Sequence, residues 1–494
     1  MIGWLELPWL VASVGAPFAL GLAAFLIGRR SHGAVAWIAA VVVPIIAAGL
    51  AWQVAARGVV RVAVGGWGRP LGIELQADPL SVLMVVLSAV VGAATCVYAR
   101  RYFATAGGAE QEAYWPLWLL LWGSLNALFV SADAFNLYVT LELATLASVG
   151  LVCVGGGGEA RRAAFRYLMV ALVGSLAYLA GVGLLYATTG TLDLELIGAA
   201  LTDSWLATLA TAAMLVGLAT KAALFPLHFW LPGAHSNAPA PVSAVLSALV
   251  VKASFYLVLR LWLDVVPSTV GAAGGWALSL LGAAAVVWGS IQALRAPRLK
   301  LLVAYSTVAQ IGYLFLVLPL LADGPDRGLV LTGVITFALA HGLAKGAAFM
   351  AAGSMVMTVG HDRISGLPGL GGTMPFTLFA FGIAGVSLSG LPPTGGFAAK
   401  WLLVSSAIAA GDWFIVIVLV VGGLLAAAYV ARVLRAALRT ADRETEVVPT
   451  RRLALDWPPM VLAVLVLLLG FAVDPMARLI AGGLSAAAGA GGTP

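Results

Sequence analysis

Cysteine is nearly missing from this chain. Cys96 and Cys153 are the only two, too few for an iron–sulfur cluster or a zinc site within it. Both lie in apolar stretches and read as packing residues. Charge is also scarce: 10% of the 494 residues are charged against 62% hydrophobic, with a mean hydropathy of +1.03, which excludes an ordinary soluble domain. There is no GxxxxGK[ST] loop, and the glycine run at 155–158 leads into EARR without the lysine that would reach a phosphate, which argues against ATP as the energy source. The first thirty residues carry Glu6 where a secretory leader would be basic, and no small-residue cleavage pattern follows. That first apolar run therefore reads as a retained helix.

The chain does contain apolar runs of membrane length. Stretches of about 20 predominantly apolar residues fall at 8–28, 34–56, 79–99, 115–131, 134–154, 165–187, 205–230, 240–262, 273–294, 301–320, 329–358, 374–408, 412–436 and 457–475. The expectation is an all-α polytopic membrane protein of about fourteen transmembrane helices. With the N-terminus outside, seventeen of the 27 basic residues, Lys300 among them, fall in cytoplasmic loops, against five on the other side (Arg57, Arg61, Arg69, Arg327 and Arg478). The positive-inside rule thus places both termini on the outer face. Basic residues dispersed over short loops give no sign of nucleic-acid binding.

Five basic residues remain inside the spans: Lys221, Lys252, Arg260, Lys345 and Lys400. Arg260, near a helix end, can snorkel to the surface. At about 3 kcal/mol each, the four lysines cost roughly 12 kcal/mol on insertion, comparable with the net stability of a whole domain. The chain has five lysines against 22 arginines, and four of those five are intramembrane. Arginine holds its proton under nearly all conditions, whereas a buried lysine can exchange one near neutral pH. The preference for lysine therefore points to proton transfer. A purely structural reading, with ammonium groups bonding carbonyls between helices, suits one lysine better than four.

Glu142 is the one acidic residue near the middle of a span, and a carboxylate beside a buried lysine favours its charged form. His341 and Lys345 are four apart and share a helix face. Lys221 and His228 are seven apart, two turns along one face until Pro226 disturbs the helix. His235, between Pro232 and Pro239, reads as a loop-organising residue. Pro226 interrupts the seventh span, and Pro392, Pro393, Gly395 and Gly396 interrupt the twelfth. Each break has a lysine beside it. The breaks are five spans apart, an odd number, so corresponding five-helix units would be inserted with opposite orientation, the arrangement that marks an ion site at the midplane.

Several long stretches carry a resemblance. FNLYVTLE ending at Glu142, KAALFPLHFWLPGAHSNAPAPVSAVLSALVVK (221–252), LKLLVAYSTVAQIGY (299–313), HGLAKGAAF (341–349) and SGLPPTGGFAAKW (389–401) resemble the antiporter-type subunits shared by respiratory complex I, membrane-bound hydrogenases and Mrp cation/proton antiporters. GGWGRPLGIELQADPLS (65–81) is most similar to the D-type subunits of the Mrp antiporters. Thr140 and Leu141 stand where an aromatic pair often precedes the glutamate, and Leu301 stands where a second basic residue is common. The resemblance implies helices 1–3 in 1–113, a first five-helix repeat in 114–264, a second, inverted repeat in 265–440, and a cytoplasmic loop with helix 14 in 441–494. Helices seven and twelve would be discontinuous. It also implies a proton path at half-membrane depth through Glu142, Lys221, His228, Lys252, His341, Lys345 and Lys400, with no cofactor, no metal and no catalytic chemistry in this chain.

The function expected from this reading is a proton-translocating subunit of a multi-subunit Mrp-type Na+(cation)/H+ antiporter in a bacterial or archaeal plasma membrane. Its partners would be other membrane subunits, protons, the lipid bilayer and, as a candidate, Na+. One alternative is a proton-pumping subunit of a redox-driven complex I-like or hydrogenase assembly, where the chain would form part of a translocase. Another is the membrane scaffold of an inorganic-carbon uptake system, with RTADRETEVVPTRR (439–452) as its docking element.

Overall fold

The structure is a computed structural model and describes residues 6–70, 72–106, 110–266, 268–440 and 453–480. α1 (Trp9–Ile27) and α2 (Arg29–Arg57) lead into a hairpin of β1 (Val60–Ala63) and β2 (Glu74–Ala77), then α3 (Pro79–Ala106), α4 (Glu110–Phe129), α5 (Ala134–Cys153) and α6 (Gly157–Thr189). The short α7 (Leu194–Ala200) precedes α8 (Trp205–Lys221) and α9 (Leu231–Asn237). The next span joins α10 (Ala240–Val245) to α11 (Val251–Asp264) through a π turn over Leu246–Val250. The second half runs through α12 (Ser268–Arg295), α13 (Leu299–Leu316), α14 (Leu318–Asp323), α15 (Arg327–Val359), α16 (Leu370–Thr373), α17 (Pro375–Ser389), α18 (Gly395–Ala409), α19 (Trp413–Ala437) and α20 (Leu453–Leu469). Side-chain caps fix several starts: Asp133 accepts from Asn136 N at 2.6 Å before α5, Ser204 from Ala207 N at 3.1 Å before α8, and Asp326 from Leu329 N at 2.8 Å before α15.

Among the described residues ten helices are long and apolar enough to cross a membrane, or eleven counting Leu455–Leu469 with Val473–Ile480, a pair bent by 72°. α8, α17 and α18 are apolar but short because the chain breaks beside them. Burial separates centre from periphery. The best apolar stretch of Ala240–Asp264 is 100% buried, and those of Leu299–Asp323 and Arg327–Val359 are 89% buried, against 28% in α1. The helices carrying Lys252, His341 and Lys345 are thus the innermost ones.

Glycines allow the closest helix crossings. A side chain at Gly282 of α12 would meet Gly312 O of α13 at 2.6 Å, and one at Gly289 would meet Ala309 N at 2.6 Å. α6 and α8 cross in the same way, since a side chain at Gly174 would meet Gly217 O at 2.9 Å. Small residues at such positions let backbones approach where lipid supplies no hydrophobic drive for association.

Four sequence readings need correction. The β1–β2 hairpin is strand within a chain read as wholly helical. Its short alternating VRVA strand follows Gly58, whose φ of 74° ends α2, and β2 continues onto the next loop through Gln76 N to Val130 O at 2.7 Å. Cys153 is exposed at the end of α5, whereas Cys96 is packed and accepts from Trp118 Nε1 at 3.3 Å. Arg260 does not snorkel, because Asp78 Oδ1 lies 2.6 Å from its Nη2 and Tyr256 Oη 2.9 Å from its Nε. Lys300 is no loop residue: α13 begins at Leu299, and the ammonium is buried, donating to Ala238 O at the end of α9.

The hairpin is fastened by charge. Arg61 and Arg69 donate to Glu195 at 2.6 and 2.9 Å, and Arg69 also lies 3.3 Å from Glu74 and 3.5 Å from Asp193. The hydrogen bond from Arg61, with that from Arg69, holds the Glu195 carboxyl below its usual range. A carboxyl lowered by folding adds stability above its unfolded pKa and loses it as pH falls through the folded one. The protection of the amides over 60–63 and 74–77, relative to their intrinsic exchange rates at each pH, is therefore expected to fall on acidification below the ordinary carboxylate range, and Glu195→Gln should show the lower protection already at neutral pH. Gly282→Val is expected to lower the thermal midpoint of the detergent-purified protein, at about 1–3 kcal/mol for overpacking. Gly15→Ala, with no atom within 4 Å of the added carbon, should not lower it.

Candidate functional site

Burying an ammonium group costs several kcal/mol unless its three donors find partners. Lys221, Lys252, Lys345 and Lys400 are all buried, and their partners define the site. Lys221 Nζ lies 2.5 Å from Glu142 Oε1 and donates to Thr145 Oγ1 at 2.8 Å. Ser175 of α6 donates to the same carboxylate oxygen. Glu142 and Thr145 are one turn apart on α5, so a single helix face presents both acceptors. Among the described residues this is the one ion pair formed by the four intramembrane lysines.

Lys221 is the last residue of α8, and the backbone turns sharply after it. Ala223 adopts φ 57°, a left-handed conformation that costs a residue with a Cβ roughly 1–2 kcal/mol. Pro226 follows, lacking the N–H that would continue the helix. Trp230 Nε1 donates to Thr220 O at 3.1 Å, which also accepts from Ala223 N at 3.2 Å, and the Trp230 ring stacks on Tyr167 with centroids 4.2 Å apart. His228 lies in the 3-10 turn beyond the break, beside Phe225 at 5.5 Å, with Nδ1 buried and unpartnered. The second break has the same logic. Gly390 ends α17 at φ 79°, Pro392 and Pro393 bar continuation, and Thr394 caps α18 by accepting from Phe397 N at 3.3 Å. A side chain at Gly396 would strike Ser387 Oγ at 2.7 Å, so only glycine lets α18 start against α17. Lys400 reaches back across this gap to Leu388 O at 3.2 Å and Ser389 O at 3.4 Å.

Two lysines meet the carboxyl end of a short helix, Lys300 at α9 and Lys400 at α17, and Lys221 is itself the last residue of α8. Helix C-termini carry partial negative charge and open carbonyls, which stabilise a cation there. Lys252 uses a related device. The π turn shifts the Val251 N–H to Leu246 O, and Lys252 Nζ donates to the Ser247 O left over.

α13 joins the remaining groups. Val303, Ser306, Thr307, Gln310 and Tyr313 recur at helical spacing on one face. Lys345 donates to Val303 O at 3.0 Å and to Ser306 Oγ. Thr307 Oγ1 lies 2.8 Å from Ser247 Oγ, the residue whose carbonyl holds Lys252. Gln310 Nε2 donates to Leu388 O at 3.0 Å, one of the Lys400 acceptors, and Lys400 Nζ sits 4.3 Å from the Tyr313 ring centroid. Lys252, Lys345 and Lys400 therefore share one helix as their common neighbour. His341, 2% exposed, has both ring nitrogens buried without a protein partner, within electrostatic reach of the same three lysines. Beside Lys221 lies a cavity bounded also by Thr145, Tyr167, Val250 and Ser254. It has the volume of about one water.

The structure brings Glu142 and Lys221 into contact and gathers Lys252, His341, Lys345 and Lys400 about α13. His235 packs on Phe349 at 5.6 Å, and its backbone O accepts from Ser243 Oγ at 2.7 Å. Thr145, Ser175, Ser306, Gln310 and Tyr313 do not stand out in the sequence. The signal for the last three is their spacing in LKLLVAYSTVAQIGY, where polar groups keep to one face of an otherwise apolar helix. Of the expected docking element 439–452, residues 441–452 lie outside the described residues. Among the described residues no group of three or more His, Cys, Asp or Glu could hold a metal ion.

These features define a polytopic membrane subunit built around a buried, lysine-rich interior with helices opened at two breaks. Residues 131–426 match the family described as NADH:quinone oxidoreductase/Mrp antiporter, TM, and the chain belongs to that family. It is 40% identical to the N-type subunit of NADH-quinone oxidoreductase from Desulforudis audaxviator, over 84% of each chain. It is 29% identical to the D-type subunit of the Na(+)/H(+) antiporter from Alkalihalophilus pseudofirmus, over 86% of each. Its fold superposes with a TM-score of 0.86 on a chain of the Mrp complex from Dietzia sp. DQ12-45-1b, at 26% identity and covering 95% of both chains.

Breaking a buried pair by removing one partner costs about 3–5 kcal/mol, while replacing both together costs much less. Glu142→Leu and Lys221→Met are each expected to lower thermal stability by that order. The double variant should lose far less than the sum of the two losses, a coupling that a thermal-denaturation cycle measures directly.

Proposed function

We propose that the chain is the proton-translocating, antiporter-like subunit of a multi-subunit Mrp-type cation/proton antiporter. The observation that carries this reading is the contact between Glu142 and Lys221, standing at one end of a row of buried lysines that share α13. A carboxylate in contact stabilises the ammonium form, and drawing it away releases that stabilisation. Protons would pass along Glu142, Lys221, Lys252, His341, Lys345 and Lys400, with water bridging the longer gaps, and His228 would link the first break to the cytoplasmic surface. The breaks at Pro226 and at Pro392, Pro393, Gly395 and Gly396 would open access from the two faces in turn. Moving one charge across 100 mV requires about 2.3 kcal/mol, a sum within reach of making or breaking one buried pair.

The architecture that suits this role has fourteen crossings, counting α4 and the two broken helices beside the long apolar ones. It divides into helices 1–3 (1–113), two inverted five-helix repeats (114–264 and 265–440) and a terminal segment (441–494). Both termini would face outward across a bacterial or archaeal plasma membrane, with the arginine-rich loops inside. One intramembrane carboxylate is a sparse oxygen site for sodium, so a Na+ route would run through partner membrane subunits.

A second reading rests on the 40% identity to the N-type subunit of a NADH-quinone oxidoreductase. The same residues would then be driven by redox chemistry held in other chains. Inverted vesicles bearing the intact complex separate the two. In the Mrp-type reading, cation addition alone dissipates or generates ΔpH, and Glu142→Ala, Lys221→Ala and Lys400→Ala each lower that signal at least about tenfold, the loss of roughly 1.4 kcal/mol or more. A signal that requires an electron donor favours the second reading. Full activity in all three variants with normal assembly would overturn the proton path in both.

A further inference from the structure

A second feature lies apart from the lysine row. Where α19 leaves the bundle, a groove of ≈ 700 Å³ is bounded by Ile364, Ala428, Ala431, Arg432, Arg435 and Arg439. Among the described residues, all the charges that line it have one sign. Arg432 is committed, since Nη1 donates to Leu294 O and Ala296 O at 2.8 Å each and fastens α19 to the carboxyl end of α12. Arg435 and Arg439 are exposed, and among the described residues neither has an ion-pair partner. Arg435 lies in the last turn of α19 and Arg439 two residues past its end, and both border the same groove, so both planar forks can reach one phosphodiester.

The approach to these arginines is apolar. Leu424, Ala428, Ala431 and Arg435 follow one another at spacings of four, three and four along an exposed face, and Leu424 is 68% exposed. That stripe rises about 16 Å at 1.5 Å per residue, roughly one leaflet of a 30 Å hydrocarbon core. Alanine at 428 and 431 leaves room against the helix where a larger side chain would fill it. An occupant must therefore be apolar over the depth of one leaflet and anionic at its outer end. Basic pockets between membrane helices meet that description with lipid headgroups.

We propose that this groove binds an anionic phospholipid, its phosphodiester held by Arg435 and Arg439 and one acyl chain lying along Ala431, Ala428 and Leu424. A free phosphate would make no use of the apolar stripe, and a soluble acidic peptide would leave it facing lipid. The site does not depend on the proton path, and its occupancy would brace α19 against α12 where Arg432 already ties them.

Native mass spectrometry of the purified full-length chain, titrated with phosphatidylglycerol, phosphatidylcholine or glycerol 3-phosphate, tests this. Phosphatidylglycerol is expected to bind more tightly than phosphatidylcholine, with glycerol 3-phosphate not retained. Arg435→Ala with Arg439→Ala should weaken phosphatidylglycerol binding at least about tenfold, the factor for losing even one of the two charge-assisted contacts. Ala431→Leu, which keeps every charge but fills the acyl stripe, should weaken it as well. Arg161→Ala with Arg162→Ala, removing two exposed arginines elsewhere, should not. Unchanged affinity in the Arg435/Arg439 variant, an equal loss in the Arg161/Arg162 control, retention of glycerol 3-phosphate, or displacement of the lipid by a soluble acidic peptide would each overturn the proposal.

Discussion

The constraint on which the rest of the molecule turns is a shortage of negative charge. Four lysines lie in the interior of the bundle, and among the described residues only Lys221 of the four meets a carboxylate, that of Glu142. The other three are held by weaker acceptors: the Ser247 carbonyl for Lys252, the Val303 carbonyl and Ser306 hydroxyl for Lys345, and the Leu388 and Ser389 carbonyls with the Tyr313 ring for Lys400. Neutral acceptors tolerate either protonation state of an amine, whereas a carboxylate in contact favours one. A lysine row with a single carboxylate in contact therefore differs at Lys221 from its other three members.

The irregular backbone follows from the same need. A carbonyl inside a continuous α-helix already accepts one backbone bond, so apart from Val303 O within α13 the carbonyl acceptors come from places where the ladder is interrupted. The π turn frees Ser247 O, the end of α17 frees Leu388 O and Ser389 O, and the end of α9 presents Ala238 O to Lys300. Ala223 in a left-handed conformation and Gly396 pressed against Ser387 show that these interruptions are built into the local chain. The lysine beside each break is buried, while Pro226, Leu391, Pro392 and Pro393 at the turns themselves are exposed.

Much of this is legible in the residues. An isolated intramembrane carboxylate and a lysine beside a proline break point to the Glu142–Lys221 pair, and the run SGLPPTGG announces the second break. The role of α13 is less visible. Ser306, Thr307 and Gln310 are common helix residues, and their importance comes from three other helices whose lysines converge on them only in the folded bundle. Lys300 reads as a loop residue because a basic residue one position inside a helix start looks the same in sequence whether it faces water or folds back to a buried carbonyl. Arg260 misleads for a related reason: its partner, Asp78, lies 182 residues away at the start of α3. The hairpin escapes notice because its strands are four residues long and its fastening depends on Glu195, beyond several intervening helices.

The central claim is that the Glu142–Lys221 pair and the lysines around α13 form one connected path, and the least bridged step lies between Lys221 and Lys252. The most direct measurement is a cryo-EM density map of the assembled complex that resolves ordered solvent. It should show water in the cavity bounded by Thr145, Tyr167 and Ser254, hydrogen-bonded toward Lys221 on one side and continuing to Lys252 on the other. Dry apolar packing between the two lysines, in a map that resolves water elsewhere in the interior, would contradict a connected path.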